Sequence, residues 1–233
     1  DVAAIIVEPI QGTAGNVVPP EGFLLQLKKV TEDIGALLIA DEMITGFGRT
    51  GKLFGCQHDG VIPDIITIGK GFGGGFPMTG LMSNDEIINS KPFANPSGSS
   101  SSYGGNPIAS TGALSAMRII LEENLVENSK SVGDFMLGKF KELQKKYPII
   151  GDVRGKGLMI GIELVKNRTT NEKLDRKYTQ MLFKEALNHG LIIMGYNPDI
   201  RINPPLVINK EIAEEGINIF EGALKYVSDR INL

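Results

Sequence analysis

Ala36-Leu37-Leu38-Ile39-Ala40 ends in Asp41, and Asp64-Ile65-Ile66-Thr67-Ile68-Gly69 ends in Lys70, with Gly71, Gly73, Gly74 and Gly75 close behind. Continuous apolar runs of this length predict strands buried on both faces, as in a mostly parallel sheet covered by helices. In such sheets ligands collect beyond the carboxyl ends of the strands, which is where Asp41 and Lys70 would lie. A carboxylate and an amine placed there suit chemistry on a cationic ring and a carbonyl. An ion pair closing the end of a sheet fits the same spacing.

The chemical reading is specific. A lysine amine forms a Schiff base with an aldehyde, and it is the better nucleophile when desolvated or flanked by cations. A pyridoxal phosphate site needs that lysine and a carboxylate on the pyridinium nitrogen, so that the ring stays protonated and accepts electrons from a substrate carbanion. Asp41 and Lys70 fit these two roles, and the glycines after Lys70 would let backbone approach a bound cofactor.

Asp41-Glu42-Met43-Ile44-Thr45-Gly46-Phe47-Gly48-Arg49-Thr50-Gly51, Pro63-Asp64-Ile65 running on to Lys70, and Gly73-Gly74-Gly75-Phe76-Pro77 resemble the signature of class III aminotransferases, which are fold-type I pyridoxal phosphate enzymes. Glu8-Pro9-Ile10-Gln11-Gly12, Tyr103-Gly104-Gly105-Asn106-Pro107, Asp152-Val153-Arg154-Gly155-Lys156-Gly157 and Arg201-Ile202-Asn203-Pro204-Pro205-Leu206 match further. These matches follow the family's order and cover nearly the whole chain. The resemblance implies an α/β fold, the C-terminal half of a fold-type I transferase. Part of a mostly parallel sheet with flanking helices, residues 1–120 of the large cofactor-binding domain, would precede a smaller α+β C-terminal domain, residues 121–233. In the family the other half supplies a glycine-rich phosphate loop and an aromatic residue stacked on the cofactor ring.

The resemblance also implies roles. Lys70 would hold pyridoxal phosphate as a Schiff base and then move a proton as general base and acid. Asp41 would keep the ring nitrogen protonated, with Met43 and Ile44 beside the ring. Ser102 stands where the family usually has a threonine whose hydroxyl reaches the cofactor phosphate of a neighbouring subunit. Arg201 matches the arginine that binds the substrate carboxylate, a bidentate task suited to guanidinium. The residues call for an anionic partner, a substrate carboxylate or a structural ion pair, because Arg201 sits in an otherwise apolar edge, Asp199-Ile200-Arg201-Ile202 before Pro204-Pro205, where a cation without a partner is costly. The expected reaction is transfer of an amino group from an ω-amino acid, amine or amino acid to a 2-oxo acid such as pyruvate or 2-oxoglutarate, in a homodimer or higher homo-oligomer. Racemisation or epimerisation on the same scaffold needs Lys70 and Asp41 equally. A non-catalytic truncated relic is the third reading.

Two departures from the family pattern limit what carries over. Many members have glutamine three residues after the pyridinium aspartate, bonding the ring's phenolic oxygen; here Ile44 cannot hydrogen-bond, although Met43 is polarizable and adaptable enough to pack on the ring. Members that handle ω-amino acids with 2-oxoglutarate commonly carry a second glutamate five residues beyond the first, where this chain has Thr13. That shifts the expectation toward an ω-amino acid or amine:pyruvate branch.

Composition sets wider bounds. A chain of 233 residues with 42% apolar residues holds one large domain or a domain and a half. The net charge of −3 argues against a nucleic-acid or membrane-surface partner. A single cysteine, Cys56, permits no internal disulfide and fits a reducing cytoplasm. No apolar run approaches the roughly 20 residues of a membrane span, and no metal site is expected.

Along the chain, Val2–Val7 predicts a buried strand and Glu21–Ile34 a helix with Phe23, Leu27, Val30 and Ile34 on its apolar face, closed by Gly35. Strand, helix and the Asp41-bearing strand form one crossover unit. Residues 77–83 predict a strand and 85–90 a short helix. Pro107 opens a helix to about Leu121 with Ile108, Leu114, Met117 and Leu121 buried, and residues 129–146 predict another with Val132, Phe135, Met136, Phe140 and Leu143 as its stripe. Residues 157–164 and 191–194 read as strands and 173–188 and 210–231 as helices, one sheet face covered by helices. Arg154 reads as a structural residue in a Gly-flanked turn.

Overall fold

A computed structural model describes residues 1–194 and 197–231. The chain groups into two compact units, Asp1–Ile10 with Pro19–Val126, and Gln11–Val18 with Glu127–Leu233. The division falls six residues beyond the expected 120/121 boundary. It also gives the loop Gln11–Val18 to the second unit, a membership that no hydrophobic pattern signals.

The first unit holds β1 (Ala4–Val7), α1 (Phe23–Ile34), β2 (Leu37–Asp41), β3 (Ile65–Ile68), β4 (Gly80–Ser83), the one-turn α2 (Asp85–Ile88) and α3 (Pro107–Glu122). Its sheet runs β1-β2-β3-β4, with β1, β2 and β3 parallel and β4 antiparallel to β3. Parallel neighbours need a crossover, which α1 supplies between β1 and β2. Asp59 holds the start of α1, its Oδ1 accepting from Gly22 N at 3.3 Å and its Oδ2 from Leu24 N at 3.0 Å. These are N–H groups that a helix start leaves without partners. Gly35, at φ 70°, ends the helix in the left-handed conformation.

Two helical stripes face otherwise than the periodicity predicts. In α1 the buried residues are Leu24 and Thr31, while Phe23, Val30 and Ile34 are exposed. Lys28 turns the helix, its Nζ meeting Asp64 Oδ1 at 2.9 Å while Asp64 Oδ2 accepts from Leu38 N at 2.7 Å. In α3 the buried residues are Ala109, Ala113 and Ile120, while Ile108 is 70% exposed. Small side chains face inward there because the glycine-rich segment comes very close: a Cβ on Gly112 would lie 2.4 Å from Phe76 Cδ2, and one on Gly74 would lie 2.8 Å from Ala116 Cβ. β1 stands at the end of the described strand order, and its Ile6 is 62% exposed.

The second unit contains most of α4 (Leu125–Lys146), then β5 (Ile150–Lys156), β6 (Met159–Asn167), β7 (Glu172–Lys173), α5 (Arg176–Asn188), β8 (Asp199–Ile202) and α6 (Lys210–Ser228). Its sheet is antiparallel, with β6 pairing β5, β7 and β8. The predicted stripe of α4 enters the core through Val132, Met136, Phe140 and Leu143, beside Ile160, Ile162 and Leu164 of β6. Gly133 lets α4 approach the turn after β5, since a Cβ there would fall 2.1 Å from Gly157 O. Residues 191–194, expected as a strand, form none. Arg154 lies within β5 opposite Gly161 and not in a turn. Its Nη1 meets Asp152 Oδ2 at 2.8 Å and Glu163 Oε2 at 2.9 Å, and its Nη2 donates to Gly15 O at 3.0 Å. Burial pulls its pKa down, but the bonds to Asp152 and Glu163 outweigh that and raise it.

Candidate active site

Asp41 and Lys70 follow from the parallel register. Asp41 is the last residue of β2 and pairs with Thr67 on β3; Lys70 comes three residues later, after Gly69. Both therefore stand at the carboxyl ends of adjacent parallel strands. Asp41 Oδ1 accepts from Met43 N at 3.1 Å and from Thr67 Oγ1 at 3.2 Å. Among the described residues, Oδ2 has no hydrogen-bond donor. Lys70 is exposed, opens a short 3-10 turn (Lys70–Gly73) and has φ 46°, a left-handed conformation uncommon for a residue with a side chain.

Met43 leaves β2 and lays its thioether over Gly69, where a Cβ would come within 2.4 Å of Cε and 2.8 Å of Sδ. A side chain at position 69 would therefore displace the Met43 thioether. Phe72, two residues after Lys70, stacks on Phe47 with centroids 5.2 Å apart, and Phe47 meets Phe54 edge-on at 5.5 Å. Ile44 is half-buried in the same segment.

Glu42 keeps that segment in shape. Its buried carboxylate accepts from Thr45 Oγ1, from Gly55 N at 2.8 Å and from Cys56 N at 2.8 Å. A buried carboxylate is tolerable only when hydrogen-bonded in this way. The Cys56 thiol is pushed up to about 12 by burial and by Glu42, so it stays protonated at neutral pH. Sequence reasoning missed Glu42 and Thr67 as supports of the site. Thr67 was legible in principle, because strand residues alternate and it pairs with Asp41; Glu42 was not, because two of its three donors are backbone N–H groups 13 and 14 residues away.

Ser102 is exposed in the turn before α3, and no hydrogen bond ties it to Asp41 or Lys70 among the described residues. Arg201 belongs to the second unit, where it occupies β8 opposite Gly161, is half-buried and donates from Nη2 to Met194 Sδ at 3.2 Å. It borders an apolar cavity of about 540 Å³ that Ile193, Ile208, Ile217 and Phe220 help to line. The structure thus brings together Asp41, Met43, Thr67 and Lys70 in one unit and sets Arg201 in the other.

The donor set fits pyridoxal phosphate. Asp41 offers a fixed carboxylate with one oxygen open to a ring N–H, Met43 offers a soft apolar surface beside it, and Lys70 offers an exposed amine one strand over. Among the described residues, no helix is long and apolar enough to cross a membrane.

A family model described as aminotransferase class-III matches residues 1–224. The alanine/serine racemase of Pyrococcus horikoshii is 45% identical over 229 residues, covering 97% of this chain and 47% of its own. The leucine/methionine racemase of Thermococcus litoralis is 41% identical, covering 98% and 51%. Among solved structures, a Bacillus anthracis aminotransferase superposes with a TM-score of 0.90 at 36% identity, covering 96% of this chain and 52% of that one. The chain spans about half the length of the relatives it matches.

Proposed function

Because the chain belongs to the class III aminotransferase family, whose members use pyridoxal phosphate, we propose that the full-length enzyme inverts the α-carbon of a neutral amino acid through Lys70 and Asp41. The observation that carries the chemistry is the placement of these two residues at the ends of adjacent parallel strands, with Thr67 and Met43 steadying the carboxylate. When bound, the cofactor supplies an electron sink that makes the α-proton of an amino acid removable. Asp41 would hold the proton on the ring nitrogen at Oδ2, while Thr67 Oγ1 and Met43 N occupy Oδ1 and prevent the carboxylate from rotating away. Lys70 would hold the cofactor through Nζ and, once displaced by a substrate amine, use the same Nζ to take and return a proton. Met43 would cover one side of the site, Ser102 would reach a phosphate, and Arg201 would take the substrate carboxylate.

Racemisation and amino-group transfer share every one of these groups. They would differ in proton delivery: transfer would need Lys70 Nζ on one face of the substrate only, whereas inversion would also need a proton to reach the α-carbon from the opposite face, which Lys70 Nζ alone would not supply. The sequence alone puts transfer first. The two racemases, at 45% and 41% identity over nearly the whole chain, favour inversion, and their names point to neutral side chains. Transfer to pyruvate or 2-oxoglutarate is the second reading, favoured by the transaminase structures and, for pyruvate, by Thr13. A reducing cytoplasmic setting, from the lone Cys56, and a homo-oligomeric assembly, from the family resemblance, belong to the same proposal.

The test is to incubate full-length protein and cofactor with single enantiomers of alanine, serine, leucine and methionine, with and without a 2-oxo acid, and to resolve the products on a chiral column. Inversion without an acceptor is expected. Conversion only with an acceptor, yielding a new oxo acid, would overturn inversion in favour of transfer. No conversion of either kind would leave the non-catalytic reading.

A further inference from the structure

Asn16 sits in the loop Gln11–Val18, which is pinched shut by reciprocal backbone bonds of 3.0 Å between Gln11 and Val17. Its φ of 52° is a left-handed conformation that asparagine adopts more readily than most residues, and its side chain is fully buried. Nδ2 donates twice, to Ile160 O at 2.8 Å and to Asn203 Oδ1 at 2.9 Å. Ile160 is the register partner of Ile202, which lies between Arg201 and Asn203. One amide therefore ties β6 to the chain leaving β8, immediately beyond Arg201.

The neighbourhood is built around this contact. Gly161, opposite Arg201, has no room for a side chain, since a Cβ would lie 2.2 Å from Gly15 O. Arg154 Nη2 donates to the same Gly15 O at 3.0 Å. Asn16 Oδ1 is buried without a hydrogen-bond partner among the described residues. A half-satisfied buried amide costs stability, so the side chain is poorly explained as a stability device and better explained by what its two donated bonds hold in place.

We propose that Asn16 is a positioning residue for Arg201, fixing the end of β8 so that the guanidinium fork meets a substrate carboxylate at a set angle. This rests on the reading of Arg201 as the carboxylate-binding residue. Bidentate recognition is directional, and small displacements of such a clamp weaken binding more than they slow chemistry when the reacting groups stand on other elements.

The experiment uses full-length protein loaded with cofactor. Steady-state KM and kcat are measured for an amino acid substrate, and the affinity of an unreactive carboxylate, isobutyrate, is read from its shift of the cofactor's visible band. Asn16→Ala should raise both KM and the isobutyrate Kd about tenfold, with kcat within about twofold. Asn203→Ala should do the same from the exposed side of the bond, which covers the case in which Asn16→Ala does not fold, whereas Asn203→Asp keeps an acceptor oxygen and should stay near wild type. In an Arg201→Ala background, Asn16→Ala should add almost nothing. If Arg201→Ala weakens isobutyrate binding but Asn16→Ala and Asn203→Ala do not, or if the effects multiply, the positioning role is wrong and the reading of Arg201 stands. If Arg201→Ala itself leaves KM and isobutyrate binding unchanged, that reading falls, and the role of Asn16 falls with it.

Discussion

The two units bury their apolar residues differently. In the antiparallel unit the stripe of α4 and alternate residues of β6 go into one core, so Ile160, Ile162, Leu164 and Phe140 are buried as their spacing predicts. In the parallel unit the stripes of α1 and α3 largely face outward, and Ala109, Ala113, Leu24 and Thr31 face in. Periodicity reports that a helix has an apolar side. It does not report which side this chain covers, which in α3 follows the close approach of glycine-rich backbone and in α1 accompanies the half-buried Lys28–Asp64 ion pair. The proposed chemistry lies in the unit whose packing was harder to read, where the strand ends carrying Asp41 and Lys70 would answer to a ligand as well as to a core.

The largest expected effect separates the units by function. Asp41→Ala in the full-length enzyme should lower turnover roughly 10²- to 10⁴-fold, the range for a positioned proton-holding group, while leaving its denaturant midpoint nearly unchanged; kinetics and urea unfolding check both. Phe140→Ala, which removes a ring packed edge-on against Phe220 at 5.6 Å, should cost about 3–5 kcal/mol in urea unfolding. The same truncation at exposed Phe23 in α1 should cost under about 1 kcal/mol. Equal costs at the two positions would erase the contrast drawn above.

Gly133→Ala comes next, at about 1–3 kcal/mol for overpacking against Gly157 O, measured by thermal unfolding. A further effect is electrostatic. Burial pushes the Asp64 carboxyl up, but the Leu38 N–H and the Lys28 ammonium outweigh it and hold the carboxyl below its usual 3.8. Glu163 is likewise raised by burial and then brought below 4.5 by Lys173 and Arg154. Carboxyls depressed on folding stabilise the folded state above their unfolded pKa, and that stability is lost as pH falls through the folded value. Unfolding scans should therefore show stability constant from about pH 7 to 5 and falling below pH 4. Lys28→Ala should cost about 1 kcal/mol at neutral pH and flatten the acid limb.

Much of this was legible in sequence. β2, β3 and the helix between β1 and β2 follow from runs of apolar residues and a glycine stop, and the opposed charges at Asp41 and Lys70 mark the proposed site. Thr67 needed only the register. Glu42, the rotation of α1 by Lys28 and the membership of Gln11–Val18 in the second unit depend on contacts between residues far apart in the chain, which no local pattern encodes. Glycines at 151, 155 and 157 suggest a turn around Arg154, where the structure has a strand. In the structure, Gly155 instead relieves a crowded ladder position, where a Cβ would lie 2.7 Å from Met159 O.

The central claim is that one amine, Lys70 Nζ, holds the cofactor. Borohydride reduction of the full-length, cofactor-loaded enzyme followed by peptide mass mapping should place the cofactor's added mass on the peptide containing residue 70, and Lys70→Ala should lose both that mass and turnover. A label on another lysine, or a Lys70→Ala protein that keeps its visible cofactor band and its rate, would contradict it.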